Sequence, residues 1–174
     1  MTVWWITLAS SYLLCLVAGM NAKTVYSNGY YTKKYNKFFS FMSVAILVLV
    51  AGLRSGIGDT PTYIQGYKTD APSTIAGSIK LLFSGKKDAG FYFYQGILKS
   101  IVNNPNVFIF VTSLITIVLI FITYYKYSQL LELSVFLFIT TGCYLVTMNG
   151  IRQYLASAIL FFCFPLIHER KWYI

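Results

Sequence analysis

The chain has 174 residues, of which 57% are hydrophobic, 18% aromatic and 11% charged. Water-soluble domains carry roughly 25% charged residues, and the mean hydropathy of +0.63 points the same way, so a soluble globular domain is excluded and lipid is the expected solvent. The net charge is +9, from 14 basic and 5 acidic residues, but most basic residues lie in short segments between apolar runs. That placement fits positive-inside anchoring and contact with anionic membrane lipids, with no nucleic-acid partner.

Five apolar runs approach the roughly 17–25 residues that a membrane crossing needs. The first covers residues 3–20 and opens on Trp4 and Trp5, which read as interfacial anchors. No basic segment precedes them, which argues against a cleaved signal peptide. The second run, 38–53, is short and dense in Val, Leu and Ile. The third has its core at 107–123, the fourth covers 133–148 and the fifth, also short, 153–167. Asn149-Gly150 between the last two is a turn signal. The expected fold is therefore all-α, a polytopic membrane protein of about five spans.

Lys23, Lys33, Lys34 and Lys37 share a segment without an acidic residue, which places residues 23–37 in the cytoplasm. The N-terminus, the long segment 54–106 and the turn 149–152 then fall outside. The loop 124–132 and the tail 168–174, with Arg170 and Lys171, fall inside. The outer segment is more than a linker. Ile75, Ile79, Leu82 and Phe83 recur at helical spacing, as do Tyr94, Ile97, Leu98 and Ile101, so two amphipathic helices are expected at the membrane surface. The whole of 1–174 reads as one membrane domain. It ends at Lys171-Trp172-Tyr173-Ile174, where a further span is expected to begin, so the chain reads as the N-terminal part of a longer domain.

Chemistry has few places to reside. Cys15, Cys143 and Cys163 are isolated within apolar runs, and His168 is the single histidine. These read as small hydrophobes and a structural residue, and no metal or cofactor is expected. Arg54 and Arg152 stand at the outer ends of apolar runs, on the same side by the topology above. Arg54 opens Arg54-Ser55-Gly56-Ile57-Gly58-Asp59-Thr60-Pro61-Thr62-Tyr63, where two glycines permit close backbone approach. Asp59 has two roles open to it: capping a helix or pairing with Arg54, or fixing a guanidinium and acting as acid or base. On a helix, Asn149, Arg152, Gln153 and Ala156 share a face. Arg152 either reaches lipid phosphate or helps form a polyol or pyrophosphate site, in which guanidinium forks bind phosphate and amides read hydroxyls. Asp88 is a solvated charge or helix cap, or part of that site. Glu132 lies at the opposite, cytoplasmic end of a span.

The stretch Leu53-Arg54 to Gly58-Asp59-Thr60 and Tyr63, then Asp88-Ala89-Gly90-Phe91, then Asn149-Gly150-Ile151-Arg152-Gln153 resembles, in order and spacing, the EpsG family of polytopic Wzy-type exopolysaccharide polymerases. The resemblance spans roughly 1–174 and corresponds to the N-terminal half of a family member. Asp88-Ala89 stands where members often carry Glu-Pro, and Pro61 is unusual after Asp-Thr. The resemblance implies a glycosyltransferase-type polymerase that joins oligosaccharide repeat units carried on undecaprenyl pyrophosphate into exopolysaccharide or capsule. It would work at the outer face of the bacterial cytoplasmic membrane, beside other polysaccharide-assembly proteins. Arg54, Asp59 and Arg152 would be catalytic, the arginines holding pyrophosphate. Thr60, Tyr63, Asp88, Asn149 and Gln153 would bind substrate. A lipid-linked oligosaccharide transporter or a non-enzymatic scaffold of such a system are the alternatives.

Overall fold

The computed structural model describes residues 2–20, 22–27, 30–83, 85 and 87–168. These form nine helices and one hairpin: α1 (Thr2–Met20), β1 (Lys23–Ser27), β2 (Tyr30–Lys34), α2 (Lys37–Gly52), α3 (Thr60–Thr69), α4 (Ile75–Leu82), α5 (Ala89–Ile101), α6 (Pro105–Tyr127), α7 (Leu131–Thr140), α8 (Cys143–Asn149) and α9 (Ile151–His168). The Arg170 and Lys171 tail, and the side chain of His168, lie outside the described residues.

Each of the five apolar runs is helical. By length and composition α1 and α6 are able to cross a membrane, and α7 with α8 forms a third candidate bent by 55°. Helix α2 and the apolar part of α9 are shorter. The bend is the departure from a continuous fourth run. Gly142 takes φ +82°, a left-handed conformation that ends a helix and that glycine adopts without a Cβ penalty.

A bundle forms as α7 packs on α1, α1 on α2, α2 on α6 and α6 on α9. Small polar residues line its contacts. Helix α1 buries Thr7, Ser11, Cys15 and Ala18, and α2 buries Ser40, Ser43, Leu47 and Ala51. Ser43 Oγ lies 3.1 Å from Cys15 Sγ and donates at 3.1 Å to the Ser11 carbonyl. In lipid the apolar exterior gives helices no reason to associate, so close packing and such hydrogen bonds carry the contact. At Gly52 an added Cβ would fall 2.6 Å from the Phe110 ring, so the α2–α6 crossing depends on that missing side chain.

At the end of the bundle where α2 and α7 begin, Tyr35 ties the turns together. Its hydroxyl donates to the Gln129 carbonyl at 2.8 Å and accepts from the Leu131 N–H at 3.0 Å. The hairpin sits at this end, pairing Lys23 with Lys34 and Tyr26 with Tyr31. The sequence reading marked this segment only as basic. Thr, Val and Tyr favour strands, and Asn28-Gly29 between them is the residue pair that tight hairpins prefer.

At the opposite end α3, α4 and α5 fold over the bundle. Both expected amphipathic helices are present as α4 and α5. Helix α3 shows no amphipathic stripe, since its residues are mostly polar, and only the reading of Asp59 as a helix cap left room for it. Its start was nonetheless written in Asp59-Thr60-Pro61: Asp59 occupies the N-cap position and Pro61 the first turn, where proline's missing N–H costs nothing. Tyr67 of α3 stacks on Phe108 of α6, centroids 4.6 Å apart, and donates to the Val102 carbonyl at 2.9 Å. Lys99 of α5 donates to the Lys68 and Ala71 carbonyls at the end of α3. Helices α4 and α5 approach closely at Gly96, where a Cβ would fall 1.9 Å from Ser78 Oγ. The stripe Ile75, Ile79, Leu82 and Phe83 stays exposed, Phe83 at 82%.

Candidate functional site

Arg54 stands where α2, α3, α6 and α8 meet. It is only 8% exposed. Its Nε donates to Thr60 Oγ1 at 3.0 Å, one terminal nitrogen to the Ala51 carbonyl and to Ser113 Oγ at 2.8 Å, and the other to the Met148 carbonyl at 3.3 Å. Ala51 and Met148 belong to the last turns of α2 and α8, whose carbonyls have no partner within the helix. A helix C-terminus carries about half a negative charge. Two such ends therefore stabilise the buried cation, with no carboxylate of the described residues bonded to it. Thr60 is fully buried, and its hydroxyl also donates to the Ile57 carbonyl at 2.6 Å.

The loop between α2 and α3 meets the end of α8 at Asn149. Gly56 and Gly58 take φ +69° and +55°. A Cβ at Gly58 would lie 1.6 Å from Asn149 Oδ1, so the loop needs glycine there for both conformation and space. Asn149 Oδ1 is buried with no hydrogen-bond partner among the described residues. Gly58→Ala should cost at least about 2 kcal/mol through strain and clash, read as a lower melting temperature in detergent. Adding Asn149→Ala should recover part of the loss, because it relieves the clash and leaves the backbone strain.

Beside this loop a cleft of about 260 Å³ opens between α3, α5 and the first turn of α9. Asp59, Thr62, Tyr63, Gly66 and Asp70 form one wall, Asp88, Phe91, Tyr92 and Gln95 another, and Arg152 stands at the α9 side. Arg152 pairs with Asp88 at 2.5 Å, 64 positions away in sequence, and its side chain keeps 42% of its surface exposed. Asp88 heads α5 in the left-handed region at φ +62° and makes no capping bond with its side chain. Asp59 heads α3, exposed and likewise without a side-chain cap bond. Among the described residues Arg152–Asp88 is the one ion pair, so Asp59 does not pair with Arg54. Nor do three His, Cys, Asp or Glu side chains among the described residues gather as a metal site.

Four of the eight residues singled out from the sequence, Asp59, Tyr63, Asp88 and Arg152, thus meet in one cleft. The other four stand apart. Arg54 and Thr60 are buried and spend their hydrogen bonds on protein groups beneath it. Asn149 does not share a helical face with Arg152, because Gly150 interrupts the helix (φ −90°, ψ +55°) and the Asn149 amide turns toward Gly58. Gln153 is exposed on the first turn of α9 and does not line the cleft. The sequence reading missed Thr62, Gly66, Asp70, Phe91, Tyr92 and Gln95. A helical signal was available. Thr62, Tyr63, Gly66 and Asp70 follow Asp59 at three, four, seven and eleven positions, and Phe91, Tyr92 and Gln95 follow Asp88 at three, four and seven, one face of a helix in each case.

The model of the EpsG family matches residues 37–174. The chain belongs to the EpsG family. The match takes in every residue of the cleft and of the Arg54 knot, while α1 and the hairpin precede it. No curated protein and no solved structure matches this EpsG-family chain. Family and apolar helices together make it a membrane protein.

Proposed function

We propose that this EpsG-family chain carries the catalytic cleft of a polysaccharide polymerase. It joins oligosaccharide repeat units carried on undecaprenyl pyrophosphate into exopolysaccharide or capsule, at the outer face of the bacterial cytoplasmic membrane and beside other polysaccharide-assembly proteins. The observation that carries this reading is the convergence of Asp59, Tyr63, Asp88 and Arg152, from three separate segments, on one cleft. In this topology all five apolar helical regions cross the bilayer. The short α2 and α9 are accommodated by local thinning and flanking polar residues, and the exposed stripe of α4 rests in the outer interface.

The acceptor hydroxyl attacks the anomeric carbon of the growing chain. The bond from that carbon to the pyrophosphate oxygen breaks, and the lipid-linked pyrophosphate leaves with the electron pair. Asp59, exposed in the cleft, takes the hydroxyl proton. Arg152, held by Asp88 on one side and open on the other, meets the charge that develops on the leaving group. Arg54 acts one layer below by fixing the ends of α2 and α8.

Arg152→Lys keeps the charge and loses the planar fork. In the full-length protein it should lower polymer formation by about 10²–10³-fold with unchanged protein in the membrane. Long polymer at wild-type amounts in that strain would sink the assignment.

A further inference from the structure

Gln95 lies on the cleft wall and is 2% exposed. Among the described residues the sealed side-chain atoms without a partner are Glu132 Oε2 and Asn149 Oδ1, so the Gln95 amide, which has no hydrogen bond to a described residue, opens to the cleft. An amide offers two donors and one acceptor. The lining of the same cleft includes the Tyr63, Phe91 and Tyr92 rings. Tyr63 and Phe91 meet edge to face at 6.1 Å. The charged residues lining the cleft are three carboxylates, Asp59, Asp70 and Asp88, against one guanidinium, that of Arg152, which leaves a formal charge of −2. A phosphate or a uronic acid would meet like charge there. A neutral sugar would not. Its hydroxyls satisfy an amide and carboxylates at once, and its C–H faces pack on aromatic rings. The volume of about 260 Å³ lies just under the roughly 300–1,000 Å³ of larger ligand pockets and suits one ring.

We propose that Gln95 is a specificity-determining residue that reads the hydroxyls of a neutral acceptor sugar, a hexose or N-acetylhexosamine, at the base of this cleft. Pyrophosphate stays at the Arg152 rim. The inference rests on the reading of the cleft as a glycosyl-transfer site.

The test uses the full chain purified in detergent and reads its melting temperature. The probes are methyl glycosides of neutral hexoses and N-acetylhexosamines, methyl glucuronide and sodium pyrophosphate. At least one neutral glycoside should stabilise the wild type saturably, and methyl glucuronide should not. Gln95→Leu and Gln95→Met should melt close to the wild type without ligand, because neither removes a hydrogen bond to a described residue. Both should bind the glycoside about tenfold more weakly, the loss expected of one hydrogen bond. Four results overturn the proposal: no stabilisation by any neutral glycoside, stronger stabilisation by glucuronide than by every neutral glycoside, undiminished glycoside affinity in either variant, or both variants melting well below the wild type. Pyrophosphate, held at Arg152, should stabilise wild type and variants alike, and a loss of that effect in the Gln95 variants also overturns it. Failure of the polymerase reading looks different. Glycoside binding would still depend on Gln95, while Arg152→Lys left polymer length unchanged.

Discussion

Arg54→Met should cost about 3–5 kcal/mol, enough to remove most folded protein from the membrane. The substitution takes away the donors for Thr60 Oγ1, Ser113 Oγ and the Ala51 and Met148 carbonyls. Each acceptor left buried and unpaired costs about 1–3 kcal/mol, partly offset because the cation no longer has to be buried. Burial lowers the Arg54 pKa to about 10, still above neutral pH, so the group is charged in the folded state. Arg54→Lys should lose less but not recover the wild type, since one ammonium does not reproduce the fork that spans four helices. Melting temperature and the monodisperse fraction in detergent are the measurements. Wild-type melting by Arg54→Met, with polymer lost, would instead make Arg54 a group that contacts substrate.

Asp59→Asn should leave folding intact and lower polymerisation by about 10²–10⁴-fold, the usual worth of a positioned general base. The side chain is exposed and makes no capping bond, so its structural role is small. The amide keeps the size and loses the capacity to accept a proton. Elongation of lipid-linked repeat units by purified wild-type and variant protein at equal folded amounts reads the effect. Activity within a few-fold of wild type would remove Asp59 from the chemistry. Asp88→Asn provides the contrast. It weakens the hold on Arg152 while leaving the guanidinium in place, so its loss should be smaller than that of either Asp59→Asn or Arg152→Lys.

The reading of Arg54 shows why part of the site stayed hidden in sequence. An arginine at the end of an apolar run, before Gly-Ile-Gly-Asp, has the composition of a phosphate site. Its surroundings are set by α6 and α8, whose Ser113 and Met148 lie 59 and 94 positions away. Only packing decides that those groups consume its donors. Asn149 and Arg152 were separated for a local reason. Gly150 breaks the helix that would have aligned them, and a glycine in sequence permits a break without requiring one. Gln95 carries no local signal beyond its helical spacing from Asp88, and its place on the cleft wall is set by how α3, α5 and α9 pack.

The sequence by itself determined that this is a helical membrane protein, because hydrophobic runs near bilayer length leave no other solvent that fits. It also held the motifs of the EpsG family and the residues that head α3 and α5, since caps and turn signals are local chemistry. Tertiary structure alone decided that Asp88 grips Arg152 across 64 positions, that Arg54 is a buried tie between helix ends, and that the bundle end closes into one cleft. Hydrophobic periodicity says which face of a helix is buried. It carries no term for which distant helix covers that face, so the partners of each polar group are fixed only when the helices pack.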